Sequence, residues 1–150
     1  MKLKIPPPLQ TLIASFLMYL LDGTFPVYLG GLEYAWVIIA FVLLLSLFLL
    51  APAVLSFIKN KTTVNPLRPE RASALVVNGV YSFSRNPMYL GMAGFLLAWC
   101  FYLANPVNVS LFFLYIFFMT QFQIKPEEQA LTELFGEDFR KYSRKVRRWI

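Results

Sequence analysis

Apolar residues in this chain gather into four long runs, broken by short polar or proline-bearing stretches. The runs cover about residues 9–29, 34–58, 88–104 and 107–124, with long polar stretches at 59–87 and 125–150. From Tyr34 to Ile58 no charge occurs over 25 positions. At about 1.5 Å per residue, that helix crosses a hydrocarbon core of roughly 30 Å. The first run is short as far as Leu21 and reaches spanning length only if Thr24 to Leu29 extends it. Pro52 is expected to kink the second helix near its end. The third and fourth runs are separated only by the turn signal "NPVN", Asn105 to Asn108, which predicts an antiparallel helical hairpin. Gly91 and Gly94 fall on one side of the third helix, where a neighbouring backbone can approach closely.

Composition turns this pattern into a class. Hydrophobic residues make up 58 % of the chain and charged residues 15 %, outside the range of a soluble domain and inside that of an integral membrane protein. No polar linker divides the 150 residues, so a single domain is expected over 1–150. "MKLKIPPPLQ" resembles the start of a signal peptide, but Pro6, Pro7 and Pro8 precede the run and no small-residue cleavage site follows, so a retained first span is expected. The lone Cys100 excludes an internal disulfide, and with no histidine anywhere a structural zinc site has no ligand set.

Charge placement orients the spans. All 14 lysines and arginines fall in 1–8, 59–87 and 125–150, whereas the intervening loops carry only Asp22 and Glu33. The positive-inside rule then puts both termini and the central loop in the cytoplasm. The same placement explains the net charge of +6 by anionic headgroups of the lipid bilayer, with no nucleic acid required. In the tail, Pro126 suits a first helical turn, Glu127 and Glu128 complement the positive helix end, and Gly136 can end the helix. Phe139, Tyr142, Val146 and Trp149 continue an apolar face among basic residues. This tail is expected to lie along the cytoplasmic interface or to fold back over the central loop.

A hairpin makes its two cytoplasmic ends neighbours, so Arg85 to Tyr89 should face Lys125 to Glu128. The first of these ends is unusually rich: "LVVNGVYSFSRNPMYLG", Leu75 to Gly91, combines turn formers, aromatics and an arginine. With the hairpin and then "EEQALTELFGEDFRKY", it resembles the membrane methyltransferases that include isoprenylcysteine carboxyl methyltransferases and phospholipid methyltransferases. The preceding "TTVNP", Thr62 to Pro66, also resembles bacterial members. The likeness runs from about Thr62 onward, and the order of motifs around the hairpin carries its specificity.

The resemblance implies an all-α integral membrane enzyme of about four spans with a C-terminal interfacial helix. It would bind S-adenosylmethionine on its cytoplasmic side and methylate a lipophilic acceptor, through a carboxylate or an amine. Cofactor-facing residues implied by position are Leu75, Val76, Tyr81, Asn86, Pro87, Met88, Tyr89, Glu127 and Glu128. Arg85, Tyr89 and Glu128 are the candidates for a catalytic role, and Gln121 and Lys125 for acceptor binding. The isoprenylcysteine enzymes place an arginine and a glutamate where this chain has Gln121 and Lys125, so a prenylcysteine carboxylate is not assumed.

From the residues alone, each has a plainer role beside it. Glu127 and Glu128 are also what a helix start requires, Arg85 also suits a lipid phosphate, and Tyr81 and Tyr89 also suit a membrane interface. A non-catalytic membrane protein that keeps the family scaffold is the alternative to an enzyme. Absence of histidine does not weigh against methyl transfer, because aligning the partners and excluding water matter more there than a strong base.

Overall fold

The computed structural model describes residues 5–25, 35–59 and 73–150. The "TTVNP" motif, the far end of the first run and Tyr34 lie outside them. All regular elements among the described residues are helical: α1 (Pro7–Thr24), α2 (Ala35–Lys59), a 3₁₀ turn (Gly79–Ser82), α3 (Pro87–Leu103), α4 (Val107–Phe118), a π turn (Met119–Ile124) and α5 (Lys125–Lys145).

Local chemistry sets these boundaries. Pro7 and Pro87 occupy the first turns of α1 and α3, where a missing N–H leaves no bond unmade. At the far end of α3, Ala104 turns left-handed (φ 52°) and Asn105 closes the hairpin. The buried Asn105 side chain accepts from the Val107 N–H at 3.0 Å and donates to Asp22 at 3.0 Å and to the Phe25 carbonyl at 2.8 Å. One amide thus ties the hairpin loop to the end of α1.

The second half of the hairpin departs from expectation. Pro126 does not open a separate helix; α4, the π turn and α5 run on as one rod. A proline inside an α-helix loses one hydrogen bond and clashes with the carbonyl four residues back, here that of Phe122. Widening the preceding turn relieves this, and the Lys125 N–H accordingly bonds to the Thr120 carbonyl, five residues back. Gly136, with φ 51° and ψ −119°, ends the first helical stretch of α5, as expected, and a second stretch continues beyond the kink to Lys145. That backbone conformation is open to glycine and strained for other residues.

Packing is concentrated on α3. Met18 of α1, Tyr89, Ala93, Leu96, Cys100 and Leu103 of α3, Tyr115 of α4 and Met119 and Ile124 of the π turn form the main buried cluster. On its other side α3 meets α2 along a narrow seam, for α2 buries only Ile39, Ser46 and Ala53, each seven residues from the next. That spacing keeps one thin stripe of a helix against its partner. Gly91 and Gly94 permit the approach: a Cβ on Gly91 would lie 2.9 Å from the Ser46 carbonyl oxygen, and one on Gly94 would collide with Ser46 Oγ. Much of the rest of α2 faces outward, with Trp36, Phe41, Leu44 and Phe48 exposed. Two helical stretches, Ala35–Lys59 and Val107–Lys145, are long and apolar enough to cross a membrane, while Pro87–Leu103 is a shorter apolar helix. An outward apolar face on this scale suits lipid as solvent.

Candidate active site

The site forms where the start of α3 meets the π turn and the first turn of α5. The wall before α3 is built by short-range chemistry. Gly79 adopts φ 64°, which lets the chain enter the 3₁₀ turn and buries Tyr81. The Tyr81 ring meets Phe57 of α2 edge-on at 5.5 Å, and together with Ala53 and Val76 it forms a second buried cluster, flanked by Val80 and Met88. Ser84 Oγ then accepts from the Asn86 N–H at 3.1 Å, and the Asn86 carbonyl accepts from the Leu90 N–H at 2.9 Å. These bonds start α3 with Tyr89 pointing into the bundle and buried.

Two carboxylates from α5 meet this wall, each in a different setting. Tyr89 donates its hydroxyl to Glu127 Oε1 at 2.6 Å, and Gln123, one turn earlier on the same rod, donates to the same oxygen. Gln10 of α1 donates to Gln123 Oε1 at 3.3 Å, so a polar chain runs from α1 through the π turn to Glu127. Between the same two stretches of chain, the Thr11 and Tyr115 hydroxyls lie 2.9 Å apart. Glu128 instead sits between two guanidiniums. Arg85 Nη2 lies 2.8 Å from Oε1, while Arg148 donates Nε to Oε1 at 3.0 Å and Nη2 to Oε2 at 2.6 Å. That two-pronged geometry is the strong form of the arginine–carboxylate pair. The hydrogen bonds to Glu128 raise the Arg148 pKa, although partial burial opposes them, so the cation is secure. Arg85 Nε is buried and has no hydrogen-bond partner among the described residues.

The fold-back of the tail completes the site. Tyr142 of α5 donates its hydroxyl to the Tyr81 carbonyl at 2.7 Å, and Arg85 Nη1 donates to the Ser143 carbonyl at 3.1 Å. Burial first, then the neighbouring Tyr142, then Glu127 raise the Tyr81 pKa; burial raises that of Tyr142 against a lowering by Arg85. Both hydroxyls therefore stay neutral. Of the two expected dispositions of the tail, folding back over the central segment describes these contacts.

Several residues singled out in the sequence come together here: Arg85 and Glu128 in one cluster, Tyr89 and Glu127 in another. The bridge from Arg85 to the glutamate pair is present at 2.8 Å. Val76, Tyr81 and Pro87 are buried, and Leu75 and Met88 half-buried beside them. Asn86 turns its amide to the Arg148 carbonyl at 2.9 Å, so that group is engaged by the tail. Gln121 and Lys125 pair with each other at 2.7 Å, with Lys125 exposed. Arg148 and Gln10 are the functional candidates that sequence reasoning passed over. Arg148 is one of several basic residues in a row, and nothing in that run sets it apart. Gln123 had a usable signal, since it stands one helical turn before Glu127.

Residues 34–138 match the family model described as phospholipid methyltransferase. The chain belongs to that family. It is 41% identical over 63 residues to an uncharacterized protein of Haemophilus influenzae, covering 42% of this chain and 100% of that one. It is 33% identical over 79 residues to the protein-S-isoprenylcysteine O-methyltransferase of Saccharomyces cerevisiae, covering 53% of this chain and 33% of that protein. A Schizosaccharomyces pombe protein of the same name is 33% identical over 72 residues, covering 48% of this chain and 30% of its own length. The matches to the two yeast enzymes thus span about a third of those proteins.

Proposed function

We propose that the protein transfers a methyl group from S-adenosylmethionine to a lipophilic acceptor reached from the bilayer, through a carboxylate or an amine. The observation that carries this reading is the Tyr89–Glu127 hydrogen bond of 2.6 Å, which joins the two motif-bearing walls at the polar end of an apolar bundle. The donor set suits the cofactor. A sulfonium and an ammonium call for a carboxylate and aromatic faces, which Glu127, Tyr81 and Tyr89 supply, and the unpartnered Arg85 Nε is a donor for an anionic group.

When bound, S-adenosylmethionine supplies a methyl carbon made electrophilic by its sulfonium. The protein's own residues would do the rest. Tyr89 and Gln123 fix the Glu127 carboxylate, Arg85 and Arg148 fix that of Glu128, and the apolar packing of Val76 and Met88 keeps water from this end of α3. Leu75, Asn86 and Pro87 shape the same wall, and Gln121 with Lys125 would meet the polar part of the acceptor at the rim. The reading includes four membrane spans, a single domain over 1–150, and cytoplasmic termini, with the site facing the cytoplasm.

A non-catalytic scaffold is the second reading. What favours it is that both Glu128 oxygens already hold guanidinium partners.

Calorimetric titration of S-adenosylmethionine into the protein in nanodiscs tests the first reading. Saturable binding is expected, weakened roughly tenfold by Tyr89→Phe, which removes a hydrogen bond to a charged group. No binding in several lipid compositions would sink it. Incubating a total lipid extract with methyl-labelled cofactor separates the two readings, since a scaffold transfers no label.

A further inference from the structure

The family match ends at residue 138, yet the stretch 146–149 beyond it bonds to three of the segments that build the site. Arg147 and Arg148 offer their carbonyls to the wall before α3: the Arg85 N–H bonds to Arg147 O at 3.0 Å, and Asn86 Nδ2 to Arg148 O at 2.9 Å. The Arg148 guanidinium turns the other way and grips Glu128 through both oxygens. Trp149 donates its indole N–H to Thr120 Oγ1 of the π turn at 3.1 Å and packs against the main core. Within two residues the chain therefore bonds to the start of α3, to the first turn of α5 and to the widened turn between α4 and α5.

We infer that Arg148 is a positioning residue, and that the stretch 146–149 is a strap which sets the separation of the two walls through the Glu128 fork. This rests on the cofactor-binding reading above. Arg85 alone reaches Glu128 through one nitrogen, so without Arg148 the carboxylate can swing and the Tyr89–Glu127 contact beside it loses its register. A lysine in place of Arg148 keeps the charge but is a single point donor, and cannot reproduce a planar two-pronged grip. The strap acts on the site through Glu128, and none of its side chains is required to touch the acceptor.

The test is calorimetric titration of S-adenosylmethionine into the 150-residue chain in nanodiscs, as wild type, Arg148→Ala and Arg148→Lys, each with and without added ethylguanidinium. Arg148→Ala is expected to bind about tenfold more weakly, Arg148→Lys to remain well below wild type, and ethylguanidinium to restore Arg148→Ala while leaving wild type unchanged. Wild type that binds beside an Arg148→Ala that binds within about twofold of it overturns the inference. A loss that ethylguanidinium does not reverse overturns it too, because that marks general structural damage. Should Arg148→Ala not purify folded, Arg148→Lys decides alone, and affinity within about twofold of wild type rejects the fork requirement. Failure of wild type itself to bind is a distinct result, which removes the cofactor reading and this inference together.

Discussion

Adjacent glutamates with similar sequence surroundings have different neighbours because consecutive helix positions point about 100° apart. Glu127 receives neutral donors, Tyr89 and Gln123, whereas Glu128 receives two cations. Motif spacing announced both glutamates, and Tyr89 and Arg85 opposite them; which partner each would take depended on how α3 and α5 meet. The tyrosines make a prediction at this scale. Tyr142 and Tyr81 ionise only above the ordinary tyrosine value of 10.0 when folded. Above that pH the unfolded chain releases protons that the folded one retains, so stability is fully present below it and falls as pH rises. Thermal melts from pH 8 to 11 should show a decline that is shallower in Tyr142→Phe than in wild type; parallel curves would refute the assignment. The same substitution should lower stability at pH 8 by about 1 kcal/mol, through loss of the bond to the Tyr81 carbonyl.

Among the elements, the α2–α3 seam and the π turn matter most. In lipid, apolar helices gain nothing by hiding from water, so close contact must come from small residues and good packing. Gly91 and Gly94 had that role in the sequence, and the structure gives them Ser46 and Leu50 as partners. Gly94→Ala is expected to destabilise the protein by about 1–3 kcal/mol through overpacking. Since the clash is with Ser46 Oγ, adding Ser46→Ala should recover part of the loss, and a double-mutant cycle on melting temperature reads the coupling. Strict additivity would place the strain elsewhere. The π turn was not legible, because a proline after an apolar run reads as a new helix. Continuity was decided by the widened turn, which accommodates Pro126 and also supplies Thr120 and Gln123 to the site.

For the whole molecule, the one-sided distribution of basic residues gives a topology that can be measured. With Cys100→Ala as background, cysteines placed at Glu33 and at Lys141 should react with an impermeant maleimide from opposite faces of oriented vesicles. Labelling of both from one face would break the four-span map. By itself the sequence determined that the chain is helical and apolar, that two motif-bearing segments flank a hairpin, and that their polar ends would be neighbours. Hydrophobic runs and turn residues act over a few positions, and such signals survive in one dimension. Tertiary structure alone decided that Arg148 grips Glu128, that Gln10 joins the Glu127 chain, and that α2 buries one stripe of residues spaced seven apart. In a row of interchangeable basic residues, the helix bend at Gly136 and the fold-back after Lys145 choose which cation is brought inside. That choice is a matter of position in space, and no local pattern encodes it.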